Sequence, residues 1–424
     1  MSISCAAVSI ELPVPEGVGL AGFASRAGKV WPGAVDGTLE ANLLLIAAGE
    51  DSILLISIDC AYANEITRRL RAADVASIPF AVLASHTHYA PSLMPEYPGL
   101  GVMHTPLVDL WEELLTGGIR ELFALPPQEI TFRRSRTPHL ATRRRRRQLF
   151  IRRHRPFVRR GVIMAPAENL QTPATVDSFI GDCLEAHLWS IAVHPTGYHN
   201  VDALTSEYPG CVRSVVRSSN ADKDVHVLFG QGASGDIRQP FYSLNPRRVG
   251  AWRFLSEVIP SGFRPSFVRS TKNEWSTWAG ELAAKVELEA LRARDSVLEP
   301  IVDGKFTVGR ATASASEFFK GSHPIDEIEV IALLVGSNGT IFVNAEVTSR
   351  LAEQLQSADT QGRDWVVFGC VNECVGYLAT LAEMNAGGYE CSEWPRPFGL
   401  AVTPRSAAPE RLVALCARAI ADAT

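Results

Sequence analysis

At 424 residues the chain is longer than one average domain, so it folds either as two or three domains or as one large α/β domain. Its 46% hydrophobic and 21% charged residues exclude a collagen, a coiled coil and a disordered tail protein. The net charge of −5 asks for no nucleic acid, yet 13 arginines and no acidic residue fall between Arg133 and Arg160, which leaves about −18 on the rest.

Eight cysteines without a CxxC pair or a dense framework read as reduced thiols of an intracellular protein. Residues Met1 to Pro13 have neither the basic region nor the sustained apolar run of an export signal. No apolar run approaches the roughly 20 residues that span a bilayer. A cytoplasmic protein with no membrane span is therefore expected.

Taken in chain order, Leu43 to Ala47 and Ile53 to Ile58 flank Gly49-Glu50-Asp51 and predict a hairpin. Pro79 to Ala84 is a buried strand that runs into Ser85-His86-Thr87-His88. The stretch 128–175, broken by Pro138, Pro156, Pro166 and Pro173, reads as an Arg-rich loop or insertion within a single domain spanning 1–424. Leu188 to Val193 runs into His194. Val225 to Phe229 runs into Gly230 to Asp236. Trp278, Leu282, Val286 and Ala290 keep helical spacing. Ile328 to Val335 turns at Ser337-Asn338-Gly339 into Thr340 to Val343 and then Glu346. Trp365 to Phe368 leads to Tyr377, and a last helix with Leu412, Leu415, Cys416, Ala419 and Ile420 follows Pro409. Buried strands that each stop at a polar cluster predict an α/β fold, a mixed sheet flanked by helices, with the active site at the strand ends.

Within these clusters, His86 and His88 sit two apart, so on extended backbone both imidazoles project from one side. The pair serves either as metal or catalytic groups or as hydrogen-bonded loop histidines. With His194 and Glu346 at two further strand ends, His86 completes a two-histidine, one-glutamate set of the kind that holds catalytic zinc and leaves a position open. Asp236 either orients a ligand or caps the helix that follows. Cys370 and Cys374 read as buried thiols. The glycines of Gly230 to Gly235 lack the Lys-Ser/Thr ending of a phosphate loop. The arginine run reads as a solvated flap beside the active site, against an anion-binding surface.

Five ordered signatures resemble the catalytic domain of the neutral/alkaline, non-lysosomal ceramidases. Ala84 to Pro91 (ASHTHYAP) is similar to that family's THTHSGP, Ala192 to Thr196 to its AVHGTS, and Gln231 to Asp236 to its Q/A-S-N-x-G-D. Asn344 to Thr348 is similar to its GE-x-T, and Tyr377 to Thr380 with Tyr389-Glu390 to its Y-V-T-T…Y-E-G. The resemblance spans residues 20 to 395. It implies zinc held by His86, His194, Glu346 and Tyr377, with His88 lining the pocket and Tyr389 stabilising the oxyanion. Ile151 to Pro156 resembles the family's I-N-R-S-P, which places its substrate-facing arginine on Arg153, with Arg152 or Arg155 as substitutes. Asp236, Gly232 and Ser234 complete the substrate-facing set that the resemblance suggests.

Departures shape the expected chemistry. The family's nucleophilic serine falls on Gly232 and its neighbouring asparagine on Ala233, so the mechanism implied is attack by zinc-activated water. Met384 replaces a family tyrosine, Tyr89 to Ser92 replaces the family's SGPGG turn, and the family's C-terminal β-sandwich has no room after Thr424. The expected function is a zinc-dependent hydrolase that cleaves the amide of a small N-acylated molecule, in a chain that is compatible with a homo-oligomer. Alternatives are an ester or lactone hydrolase, an acyl-transfer or condensation enzyme of a specialised pathway, and a non-catalytic binding homologue.

Overall fold

The computed structural model describes residues 2–26, 29, 31, 33–151, 158–219, 223–259, 263–295 and 306–424. Strand β1 (Ile3–Glu11) begins the main sheet, and the runs around Gly49 form the expected hairpin of β2 (Glu40–Ala48) and β3 (Asp51–Ile58). Gly49 closes the turn at φ +67°, a left-handed conformation that glycine adopts without steric cost. With β4 (Phe80–Ala84), β5 (Gln128–Ile151), β6 (Val158–Ile180), β7 (Leu184–Ile191) and β8 (Asp224–Gln231), the order across the sheet is β4-β3-β2-β1-β5-β6-β7-β8. The short β9 (Ile237–Arg238) pairs with β5. Pairs β3–β4 and β7–β8 are parallel and the others antiparallel, so the sheet is mixed.

The sheet curls until β8 meets β3. There the Ser57 hydroxyl donates to the Phe229 carbonyl (2.7 Å) and accepts from the Phe229 amide (3.0 Å). A second sheet holds Phe306–Ser314, Glu327–Val335, Asn338–Val343 and Asp364–Phe368. Cys5, Leu44, Ile46 and Leu55 of the first sheet share one core with Ile331, Leu333, Phe342 and Phe368 of the second. Each fully buried Leu or Ile of this kind contributes about 1.5–3 kcal/mol.

Helices cover the outer faces. Thr105–Ala124 packs on β1 and β2, Glu207–Ser218 and Lys272–Asp295 on β8 and β6, and Ala408–Asp422 on the second sheet. The single α/β domain thus buries both inner sheet faces and directs the carboxyl ends of several strands to one place. All eight cysteines are free thiols. No described helix is long and apolar enough to cross a membrane.

The stretch expected to be a loop instead forms, among the described residues, a long antiparallel pairing of β5 with β6. Its described prolines do not break the ladder, and Pro156 lies outside the described residues. Pro138 and Pro173 face each other in register, and Pro166 falls in the irregular stretch between the Arg143–Glu168 and Arg145–Met164 pairs. The strand was concealed because arginine occupies inward positions that apolar residues normally mark. Thr137, His139, Ala141, Arg144 and Arg146 are all buried.

Candidate active site

Four strand ends supply the site. After β4 the chain turns sharply at His86, which sits at φ +60° with Nδ1 donating to the Ala61 carbonyl (2.9 Å). After β7, His194 donates from Nδ1 to the Ser234 carbonyl (2.8 Å). These bonds fix both tautomers, so each imidazole turns an Nε2 lone pair inward. Glu346 and Tyr377 lie directly opposite each other in a two-residue parallel bridge, Glu346–Val347 with Tyr377–Leu378.

The inward-facing atoms converge. Glu346 Oε2 lies 3.0 Å from His194 Nε2 and 3.4 Å from His86 Nε2, and the Tyr377 hydroxyl lies 3.2 Å from His194 Nε2. Glu346 Oε1 accepts from the Tyr62 hydroxyl. His86 Nε2 and Glu346 Oε2 have no hydrogen-bond partner although both are buried. Two imidazole lone pairs facing a carboxylate oxygen in a dry site repel unless a proton or a cation lies between them. Burial pushes His194 down to about 3, which removes the proton and leaves the arrangement suited to a divalent cation. The donor set of two imidazoles, a carboxylate and a phenol fits zinc chemistry. The Cys370 thiol comes within 4.8 Å of the His86 and Glu346 donor atoms, closer to the site than its sequence context implied.

His88 stacks edge-on against His86 (4.9 Å between ring centres) and Phe23 (5.0 Å), and neither of its ring nitrogens has a partner. Burial, then the neighbouring imidazoles, drives its pKa well down, so the ring is neutral. Gly22, at φ +97°, makes room for this ring: a Cβ there would stand 2.5 Å from His88 Cγ. Tyr389 is half-buried, its ring 5.4 Å from that of Tyr377.

Sequence reasoning missed the arginine that faces the phenols. Arg144 donates from Nη2 to the Tyr377 hydroxyl (3.1 Å) and from Nε to Glu390 Oε1 (2.8 Å), with its guanidinium 5.6 Å from the Tyr389 ring centre. Arg153, Arg152 and Arg155, proposed for this task from sequence, lie outside the described residues. The hydroxyl of Tyr62 was also missed, and no sequence signal marks it.

Three further candidate residues lie nearby. Asp236 does not reach the histidines: its carboxylate accepts from the Ser349 amide (2.7 Å) and hydroxyl (3.0 Å), capping Ser349–Gln356, while its carbonyl accepts from Arg144 N (2.8 Å). Ser234 serves through its carbonyl, which orients His194. Gly232 is wedged where strand ends cross, and a Cβ would lie 2.8 Å from Ala192 N, so no nucleophilic side chain fits on this backbone.

The fold is ceramidase-like, as two solved structures show. A ceramidase complexed with C2 superposes with TM-score 0.65 at 14% identity, covering 99% of this chain and 75% of that one. The neutral ceramidase from Pseudomonas aeruginosa superposes with TM-score 0.64, also at 14% identity, covering 98% of this chain and 74% of that one. No protein-family model and no curated protein sequence matches the chain.

Proposed function

We propose that the chain is a zinc-dependent hydrolase that cleaves the amide bond of an N-acylated molecule. The observation that carries this reading is the pair of imidazole lone pairs facing the partnerless Glu346 oxygen beside the Tyr377 phenol. His86, His194, Glu346 and Tyr377 would hold the ion. A divalent cation bound there supplies Lewis acidity, polarising a carbonyl and bringing the pKa of water towards neutrality.

The protein's own groups do the remaining work. The neutral His88 accepts or returns a proton through its two free ring nitrogens, as cleavage of an amide requires when the amine departs. Tyr389 and Arg144, whose guanidinium lies 5.6 Å from the Tyr389 ring centre, would stabilise negative charge developing on the carbonyl oxygen. A donor of this type is worth roughly 2.7–4 kcal/mol of barrier. Glu390 fixes Arg144 in place, and Tyr62 fixes Glu346. Ceramidase neighbours at the level of fold favour an amide over an ester substrate.

Elemental analysis of wild type and Glu346→Ala, with a panel of N-acyl and O-acyl substrates, tests the proposal. About one zinc per chain in the wild type, lost with amide hydrolysis in the variant, is the expected result. A wild-type protein purified without chelator that contains no metal overturns it.

A further inference from the structure

Most buried arginines of this chain are committed to carboxylates: Arg134 to Asp177, Arg213 to Asp59 and Glu40, and Arg144 and Arg145 to Glu390. Arg26 spends its guanidinium on the Val201, Ala21 and His88 carbonyls, and two more arginines beside the active site have no carboxylate either. Arg238 lies on β9, whose backbone is bridged to His194 on one side and to Thr142 of β5 on the other. Its half-buried guanidinium sits 5.0 Å from the Phe267 ring centre and pairs with no carboxylate among the described residues. Arg146, two positions beyond Arg144 and also buried, donates from Nη1 to the Pro265 carbonyl (2.9 Å), while its Nε and Nη2 have no partner.

Pro265 and Phe267 are two apart in the chain, so one guanidinium meets the backbone carbonyl and the other the aromatic ring of the same short segment. The charges around them add to the excess. Burial, with Arg144 and Arg253 nearby, pushes Arg238 down to about 10, which leaves it cationic at neutral pH, and Arg264 adds to the field at Arg146. Glu257, the acid whose charge acts on Arg146, is already paired with Arg253 (2.9 Å). Buried charge without a counter-charge is costly, and a guanidinium meets a carboxylate through two parallel hydrogen bonds.

We infer that Arg238 and Arg146 receive an anionic group of the substrate, so that the acylated molecule is an N-acyl amino acid with a free carboxylate and not a neutral N-acyl amine. This rests on the amide-hydrolase reading above, and it sets the specificity of that same site.

The test pairs N-dodecanoylglycine with its uncharged analogue N-dodecanoylglycinamide, and adds N-dodecanoyltaurine as a sulfonate. Each is measured by kcat/KM and by calorimetric Kd on wild type, Arg238→Gln, Arg146→Gln and Arg238→Lys. Wild type is expected to favour the carboxylate over the carboxamide by about tenfold to a hundredfold, the range of a charge-assisted hydrogen bond. Either glutamine variant should lose most of that preference, and Arg238→Lys should keep part of it.

Equal affinity of wild type for carboxylate and carboxamide, or an unchanged preference in both glutamine variants, overturns the inference. So does a preference for the sulfonate over the carboxylate. Turnover of both glycine compounds without discrimination rejects the anion site and leaves the amidase. Selective binding lost in the variants, with no turnover of any compound, supports the anion site and rejects the amidase.

Discussion

Glu207 offers a test of the electrostatics that needs no substrate. It opens the helix Glu207–Ser218 at φ +60° and is 1% exposed. Its Oε1 accepts from Gln239 Nε2 (2.5 Å) and Trp275 Nε1 (3.0 Å), and Oε2 from the Tyr208 amide (2.7 Å). Burial outweighs these three donors and pushes the carboxyl from the usual 4.5 up to about 7. The folded protein therefore holds a proton that the unfolded chain has released. A raised folded-state pKa gives stability that is complete below pH 4.5 and is lost as pH rises through 7. At 1.36 kcal/mol per unit the gap amounts to about 3 kcal/mol. Urea unfolding of wild type and Glu207→Gln between pH 4 and 8 measures it, because subtracting the two cancels every other titration. The stability of wild type relative to the variant should fall by about 3 kcal/mol from pH 4.5 to 7.5 and then level off. Parallel curves across that range would refute the reasoning.

Other substitutions probe the site directly. Gly22→Ala places a methyl group 2.5 Å from His88 on a backbone at φ +97°; we expect a lower melting temperature and a loss of at least about 2 kcal/mol, read by calorimetry. Gly232→Ser, which restores the hydroxyl found in the ceramidase signature, should lower stability and gain no acyl-enzyme detectable by mass spectrometry, since its Cβ meets Ala192 N at 2.8 Å. Arg144→Lys keeps the charge but cannot reach Glu390 and Tyr377 together. Its kcat should fall about 10²–10³-fold while the circular dichroism spectrum stays that of wild type.

What could be read from the sequence follows from period and punctuation. Strands such as Phe80–Ala84 and Asp364–Phe368 are continuous apolar runs closed by polar clusters, so their ends, and with them His86, His194 and Glu346, were legible from the pattern, while Tyr377 came only from the resemblance to the ceramidases. The β5–β6 hairpin could not. Five consecutive arginines from Arg143 to Arg147 carry no hydrophobic alternation, and the register shift between Arg143 and Arg145 decides which of them turn inward. Arg144 is therefore indistinguishable from Arg147 in the sequence, although one is buried against Tyr377 and the other is exposed. Arg238 was hidden for another reason. It follows the Gly-Asp of a recognisable motif, and its lack of a carboxylate depends on which residues the fold brings near it.

The two-residue bridge that sets Glu346 against Tyr377 has a consequence for how the protein is made. Neither residue is near His86 or His194 in the chain, so the cluster exists only after both sheets have docked and the hairpin has delivered Arg144. Contacts this distant in sequence form slowly, because each encloses a long loop before any local contact rewards it. Backbone order should return early in refolding, with competence at the site following later. In the interval a newly synthesised chain would present paired strands and an unfinished interior.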